Sequence, residues 1–326
     1  MRHPDSVRWP PNARVSRFAS HFSYSSRLVM ISVIPVYLQS AYVLAPLVAI
    51  ISIGVFWGKK DYPFAGQFVT VLVTTVTTPA LVFKTLVTTE MGGEALFEIV
   101  GATVLGLLLC ALLGGLLLKL VKMPVRPMLQ LVSFPNAGNL GLPISALAFG
   151  EVGLSTAIAF FAVTSFLTHT VGVRSLPNTR GAVGGWKSPI LIASLAAVAI
   201  RLTGLPVPAW VMETASMLGV VTVPLMLLSL GHALALIPAT SLRTGAVMGV
   251  IRLAVGMVVG FGVIGMLPMD PAVAGTLALQ LSMPCAVVSY MYVRRFTDMQ
   301  DVAAGAVLVS TLLFLIYVPV LMWWAA

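Results

Sequence analysis

The chain has 326 residues, of which 59% are hydrophobic and only 9% charged, with a mean hydropathy of +1.01; a soluble domain carries roughly 25% charged residues. That composition excludes a soluble fold, which could not bury so much apolar surface. The net charge of +9 is spread over short segments between apolar runs, so it speaks for membrane topology and lipid contact, with no nucleic-acid partner.

Residues 1–37 form a tail in which Arg2, Arg8, Arg14, Arg17 and Arg27 face one acid, Asp5. A membrane span needs about 20 apolar residues. Charged and Gly/Pro-rich breaks divide the rest of the chain into ten such runs, near 40–58, 64–83, 96–118, 128–149, 152–172, 188–204, 211–236, 243–267, 271–293 and 302–324. Many Gly and Pro lie inside the runs, which membrane helices tolerate because their neighbours re-satisfy freed backbone groups. The polar connection 173–187, VRSLPNTRGAVGGWK, separates residues 38–172 from 188–326, with five runs on either side.

The two halves read as copies. VTTPALVF around Pro79 in the second run matches VTVPLMLL around Pro224 in the seventh, and GLPISA around Pro143 in the fourth matches SMPCAV around Pro284 in the ninth. The offsets, 145 and 141 residues, agree to within four. Five is odd, so the second copy enters the membrane upside down, the inverted-repeat plan of many secondary carriers. The predicted fold is therefore all-α, with about ten transmembrane helices in a 5+5 inverted repeat and two broken crossover helices.

Charge placement tests the count independently. Odd-numbered loops hold Lys59, Lys60, Lys119, Lys122, Arg126, Arg174, Arg180, Lys187, Arg243, Arg294 and Arg295, and even-numbered loops hold Lys84 and Arg201. Positive-inside bias puts the odd loops, including the 173–187 linker, in the cytoplasm. The tail arginines contradict this, since they should hold the tail inside. Either residues 28–39 add a partial or extra span, or the tail is a processed or mis-assigned extension before a start near Met30, and the second reading is preferred.

A proline removes an N–H and crowds the carbonyl four residues earlier, which belongs to Asn139 for Pro143 and to Gln280 for Pro284. SFPNAGNLGLPIS adds Pro135, Asn136, Gly138 and Gly141 to the fourth run. Unsatisfied polar groups are costly in hydrocarbon, so such a stretch must face protein, ion or water. The second half-helix is expected to start near Pro143, with the N–H groups of Ile144 and Ser145 pointing into the break and attracting an anion. A plain kink is the bland alternative for any one of these residues, and the matched placing of Pro143 and Pro284 argues against it. Cys110 and Cys285 form neither a disulfide framework nor metal-ligand spacing and read as small core residues. Cys285 nevertheless joins Ser289 as a candidate contact beside Pro284.

Other intramembrane polar groups are few. Arg252 lies inside the eighth run and is either functional or snorkels to the cytoplasmic edge. His169 and His232 read as packing or interfacial residues, and Lys84 as a snorkelling end. Glu90, Glu94, Glu98, Glu151 and Glu213 cluster at the outer edge, so a carboxylate relay has no seat, and no metal or cofactor is implied.

PNAGNLGLPIS resembles the fourth-span signature of the auxin efflux carrier family, in which an Asn precedes the crossover Pro by seven residues, as Asn136 precedes Pro143. MPCAVVSYMYVRRF is similar to the family's ninth span, and SPILIASLAAVAIRLTGLPVP with LGVVTVPLMLLSLG to its sixth and seventh, so the likeness runs over about residues 38–324. The resemblance implies a scaffold of spans one, two, six and seven, through which a homodimer can form, and a transport part carrying the crossover. It also implies a small organic anion as substrate, and the short linker implies a bacterial-type carrier of the inner (plasma) membrane. One departure is Val288, where bacterial members commonly have a polar residue, often Asn. A sodium-coupled symporter of the bile-acid type shares the plan and is the alternative. A membrane-embedded enzyme is disfavoured, because GxSxG, HExxH and paired carboxylates within a span are all lacking.

Overall fold

The computed structural model describes residues 44–177, 188–237 and 241–325. The N-terminal tail and residues 178–187 of the predicted linker lie outside them. Among the described residues every regular element is a helix. Hydrocarbon demands this, because each backbone N–H and C=O must be satisfied within its own segment.

In chain order, α1 is Leu44–Lys59, α2 Gly66–Thr88 and α3 Gly93–Leu120, followed by α4 at Val125–Ser133. The helical stretch Ala137–Ser175 turns at Gly150, which takes φ 60° and ψ −142°, and its two arms, 137–149 and 151–175, are α5 and α6. Then come α7 at Pro189–Thr203, α8 at Ala209–Ala235, α9 at Ser241–Met266, α10 at Pro271–Leu281, α11 at Val287–Phe296 and α12 at Gln300–Ala325. Six stretches are long and apolar enough to cross a membrane: Gly66–Thr88, Gly93–Leu120, Ala137–Ser175, Ala209–Ala235, Leu242–Met266 and Gln300–Met322. The chain is an integral membrane protein.

Gly150 reverses the chain. In a continuous helix residues eight apart are separated by about 12 Å, yet a Cβ on Gly153 would lie 2.4 Å from the Ser145 carbonyl oxygen. A positive φ is cheap only for glycine, so this residue lets α5 and α6 fold back on each other.

Lipid offers no hydrophobic drive for helices to associate, so close backbone approach through small residues holds them together. A Cβ on Gly231 of α8 would fall 2.0 Å from the Ile51 carbonyl of α1, and one on Gly54 of α1 2.3 Å from the Leu228 carbonyl. Helix α9 does the same twice: Gly245 meets the backbone of Gly305 and Ala306 in α12, and Gly256 meets Leu281 at the end of α10. One group of helices forms as α2 packs on α7 and α8, and a second as α9 packs on α3, α10 and α12. The seams between the groups are apolar. Leu47 and Ile51 of α1, Leu140 and Ile144 of α5, Leu227 and Leu230 of α8 and Phe314 of α12 share one buried cluster, while Val82, Ile158 and Ile190 share another.

Candidate functional site

Helix α4 stops at Ser133, and the chain runs extended through Phe134 (φ −105°, ψ 113°) before α5 begins. Helix α10 stops at Leu281, and the chain is extended again at Ala286 (φ −70°, ψ 137°) before α11 begins. Pro135 and Pro284 lie in these interruptions. Each lacks an N–H, and each disfavours helix at the residue before it, Phe134 and Met283. The two extended pieces meet as an antiparallel bridge between Pro135 and Cys285, and the Asn136 N–H donates to the Pro284 carbonyl at 2.9 Å.

The expected break at Pro143 is therefore corrected: the first interruption falls at Pro135, and Pro135 is the residue set against the Pro284 segment. Pro143 sits inside α5, after a widened turn over Ala137–Gly141 in which the Gly141 N–H donates to the Asn136 carbonyl at 3.1 Å. Widening the turn gives the Pro143 ring its room without ending the helix. Ile144 and Ser145 consequently do not present amides to a break. Ile144 is buried in the α1–α5–α8 seam, and the Ser145 hydroxyl accepts from Gln280 Nε2 at 3.2 Å. The amides that begin α5 belong to Ala137, Gly138, Asn139 and Leu140.

A cavity of about 1270 Å³ stands over the crossing. Its floor includes Pro135, Asn136, Gly138 and Asn139 from one segment and Ala286, Val287 and Val288 from the other. The two floor segments are the N-terminal ends of α5 and α11, each the positive pole of a helix. The walls add Thr70 and Thr74 of α2, Ser165 and His169 of α6, and Ser229 and His232 of α8, and Arg294 and Arg295 also line it. Among the described residues no Asp or Glu lines the cavity. His232 stacks on Phe64 with ring centroids 4.3 Å apart, and His169 Nδ1 lies 2.6 Å from the Ser165 carbonyl while its ring meets Tyr292 edge-on.

Asn136 is 4% exposed, and its Nδ2 has no hydrogen-bond partner among the described residues. Asn139 is half-buried at the cavity floor. Gly138 admits Phe161, whose ring edge would be 2.9 Å from an added Cβ. The other candidates lie deeper. Gln280, Ser289 and Cys285 are fully buried and do not line the cavity. Gly141 makes room for Gln280, whose Oε1 would be 2.3 Å from a Cβ there. The Cys285 N–H donates to Ser310 Oγ at 3.1 Å.

Arg252 does not snorkel. Its exposure is 0%, and its guanidinium donates through Nε to the Met283 carbonyl (3.0 Å), through Nη1 to the Val132 carbonyl (2.7 Å) and through Nη2 to the Leu281 carbonyl, with Cys110 Sγ alongside Nη1. It thus ties the C-terminal ends of α4 and α10 together behind the cavity floor. Sequence reasoning missed His169, His232, Arg294 and Arg295 as cavity residues. The signal was present in the basic pair of the ninth loop, which served only to set topology.

An all-helical membrane chain whose two interrupted helices meet at the floor of a cavity that reaches a pair of arginines has the build of a transport protein. Residues 179–322 match the family described as membrane transport protein, in line with the resemblance to the auxin efflux carriers. The matched residues contain the sixth-, seventh- and ninth-span motifs and leave PNAGNLGLPIS outside. No curated protein matches the chain.

Proposed function

We propose that the protein is a secondary transporter that moves a small organic anion, such as a carboxylate, by alternating access at the crossing of the two interrupted helices. The observation that carries this reading is the cavity floor: two helix N-termini and the amide of Asn136 converge there, and among the described residues that amide nitrogen has no partner and no carboxylate lines the space. Each supplies positive potential or a donor to a negative guest. Asn136 and Asn139 would donate to the carboxylate, and the amides of Ala137, Gly138, Val287 and Val288 would supply the dipole ends.

In this reading the membrane is crossed ten times, with α4–α5 and α10–α11 each counting as one broken span in an inverted five-plus-five repeat. The prolines support it, because Pro79 and Pro224 occupy equivalent places near the starts of helical segments, at Thr78–Thr88 and Thr222–Ala235, and Pro135 and Pro284 occupy equivalent interruptions. The cavity lining continues to Phe64, Ser188, Ile237 and Phe296, all beside odd-numbered loops, so the cavity faces the basic, cytoplasmic side. Arg294 and Arg295 would concentrate anions at its mouth. The bacterial plasma membrane is the proposed location, on the strength of the short linker.

Uptake into proteoliposomes of a labelled panel of mono- and dicarboxylates, with matched neutral and cationic solutes, tests the reading. Saturable uptake of at least one carboxylate is expected. Saturable uptake of cations or neutral solutes alone would overturn it.

A further inference from the structure

The C-terminal end of a helix carries partial negative charge, and carriers built on broken helices use such ends, with their unwound carbonyls, to hold the coupling cation. Here the equivalent oxygens are occupied by the protein itself. The carbonyls of Val132, at the end of α4, and of Leu281 and Met283, at the end of α10, all accept from one guanidinium, that of Arg252. Among the described residues none of its hydrogen-bond partners is a carboxylate. Leaving a fully buried cation without an acid is costly, so the placement calls for a compensating role. The helix that bears Arg252 is shaped for it: one turn later, Gly256 allows the Leu281 carbonyl to approach so closely that a Cβ would lie 2.4 Å from it.

We propose that Arg252 is a tethered cation that takes the place of a coupling metal ion at the crossing. A sodium ion held there would assemble the two helix ends when bound and release them when it left. A guanidinium on α9 cannot leave, so the crossing stays assembled through the cycle, and sodium is neither required nor carried. Arg252 is a positioning residue: it holds Met283 and Val132, and through Pro284, the next residue, and Pro135, three residues on, it fixes the floor on which Asn136 stands. The proposal rests on the crossover reading of the interrupted helices, but its test needs no transported anion, so a failed uptake panel and a failed cation test are separate results.

The test is thermal unfolding of the purified full-length chain in detergent, with sodium chloride titrated against choline chloride at constant ionic strength. The wild type should show no saturable, sodium-specific rise in Tm. Arg252→Ala should unfold roughly 5 °C or more lower, and millimolar guanidinium should restore part of the loss saturably, while equimolar choline or urea should not. Arg252→Lys, which keeps the charge but not the three-way fork, should fall between the wild type and Ala. Arg252→Met, which fills the space without charge, should not respond to guanidinium. Saturable sodium stabilisation of the wild type would overturn the proposal, even if no variant folds. So would an Ala variant indifferent to guanidinium, or a Met variant as stable as the wild type.

Discussion

Asn136 offers the most direct test of the cavity floor. Its side-chain nitrogen is buried and unpartnered among the described residues, so a bound carboxylate would supply an acceptor. A hydrogen bond to a charged group contributes about 1.5–3 kcal/mol, and each 1.4 kcal/mol is tenfold in affinity. Asn136→Ala should therefore weaken binding of the transported carboxylate by roughly 10- to 150-fold. Asn136→Asp is nearly isosteric but exchanges the donor for a negatively charged acceptor, so its penalty should exceed that of Ala at neutral pH. Burial raises a carboxyl pKa. As the pH falls through that raised value the Asp protonates and can donate again, so its affinity should recover on acidification while that of Ala stays flat. The assay is substrate affinity in proteoliposomes for the three proteins, over about pH 5 to 8, the range that spans a raised carboxyl pKa. Equal affinities throughout would show that Asn136 does not touch the substrate, and tighter binding by Asp would point to a cation site.

Three further outcomes follow from the packing. Pro143→Ala should leave uptake within about twofold of wild type, since the helix already passes through that residue, whereas joint replacement of Pro135 and Pro284 by Ala should abolish uptake in protein that still inserts. Gly231→Val should lower thermal stability by about 1–3 kcal/mol or more, because its Cβ would collide with the Ile51 carbonyl; an unchanged Tm would contradict the close approach of α1 and α8. Single cysteines beside Lys122 and Arg295 should react with an impermeant reagent from the cytoplasmic side only, and ones beside Gly93 and Asp270 from outside only, with any mixed pattern refuting the ten-span topology.

The apolar runs were legible because membrane helices need long uncharged stretches, and α2, α3, α8, α9 and α12 lie where the hydropathy placed them. The interruption at Pro284 was legible for the same reason that the one at Pro135 was misplaced. SFPNAGNLGLPIS holds two prolines, Pro135 and Pro143, and either could end a helix. What decides between them is the widened turn over Ala137–Gly141, which accommodates Pro143, and the bridge to Cys285, a contact between residues far apart in the chain. The same limit explains Arg252. Its hydropathic position allowed a route to the membrane edge, and only the convergence of Val132, Leu281 and Met283 shows why the side chain turns inward. The cavity histidines stood alone in sequence, and the packing of α6, α8 and α11 brings them to one space.

Helix α7 has only 15 residues, about 22 Å at 1.5 Å per residue, whereas a typical hydrocarbon layer is about 30 Å thick. Its outer surface is greasy, with Ile192, Leu195 and Leu202 all exposed, so it presents a short apolar face to lipid acyl chains. In its last turn, at the end bordering the predicted outer loop, Arg201 is turned back onto the carbonyls of Leu86, Thr89 and Met91. On the proposal that α7 is one of the ten crossings, the shortfall falls to the lipid, which would thin locally around α7 or recruit shorter acyl chains. On that reading bilayer thickness would be a variable acting on this face of the protein, distinct from anything dissolved in the water on either side.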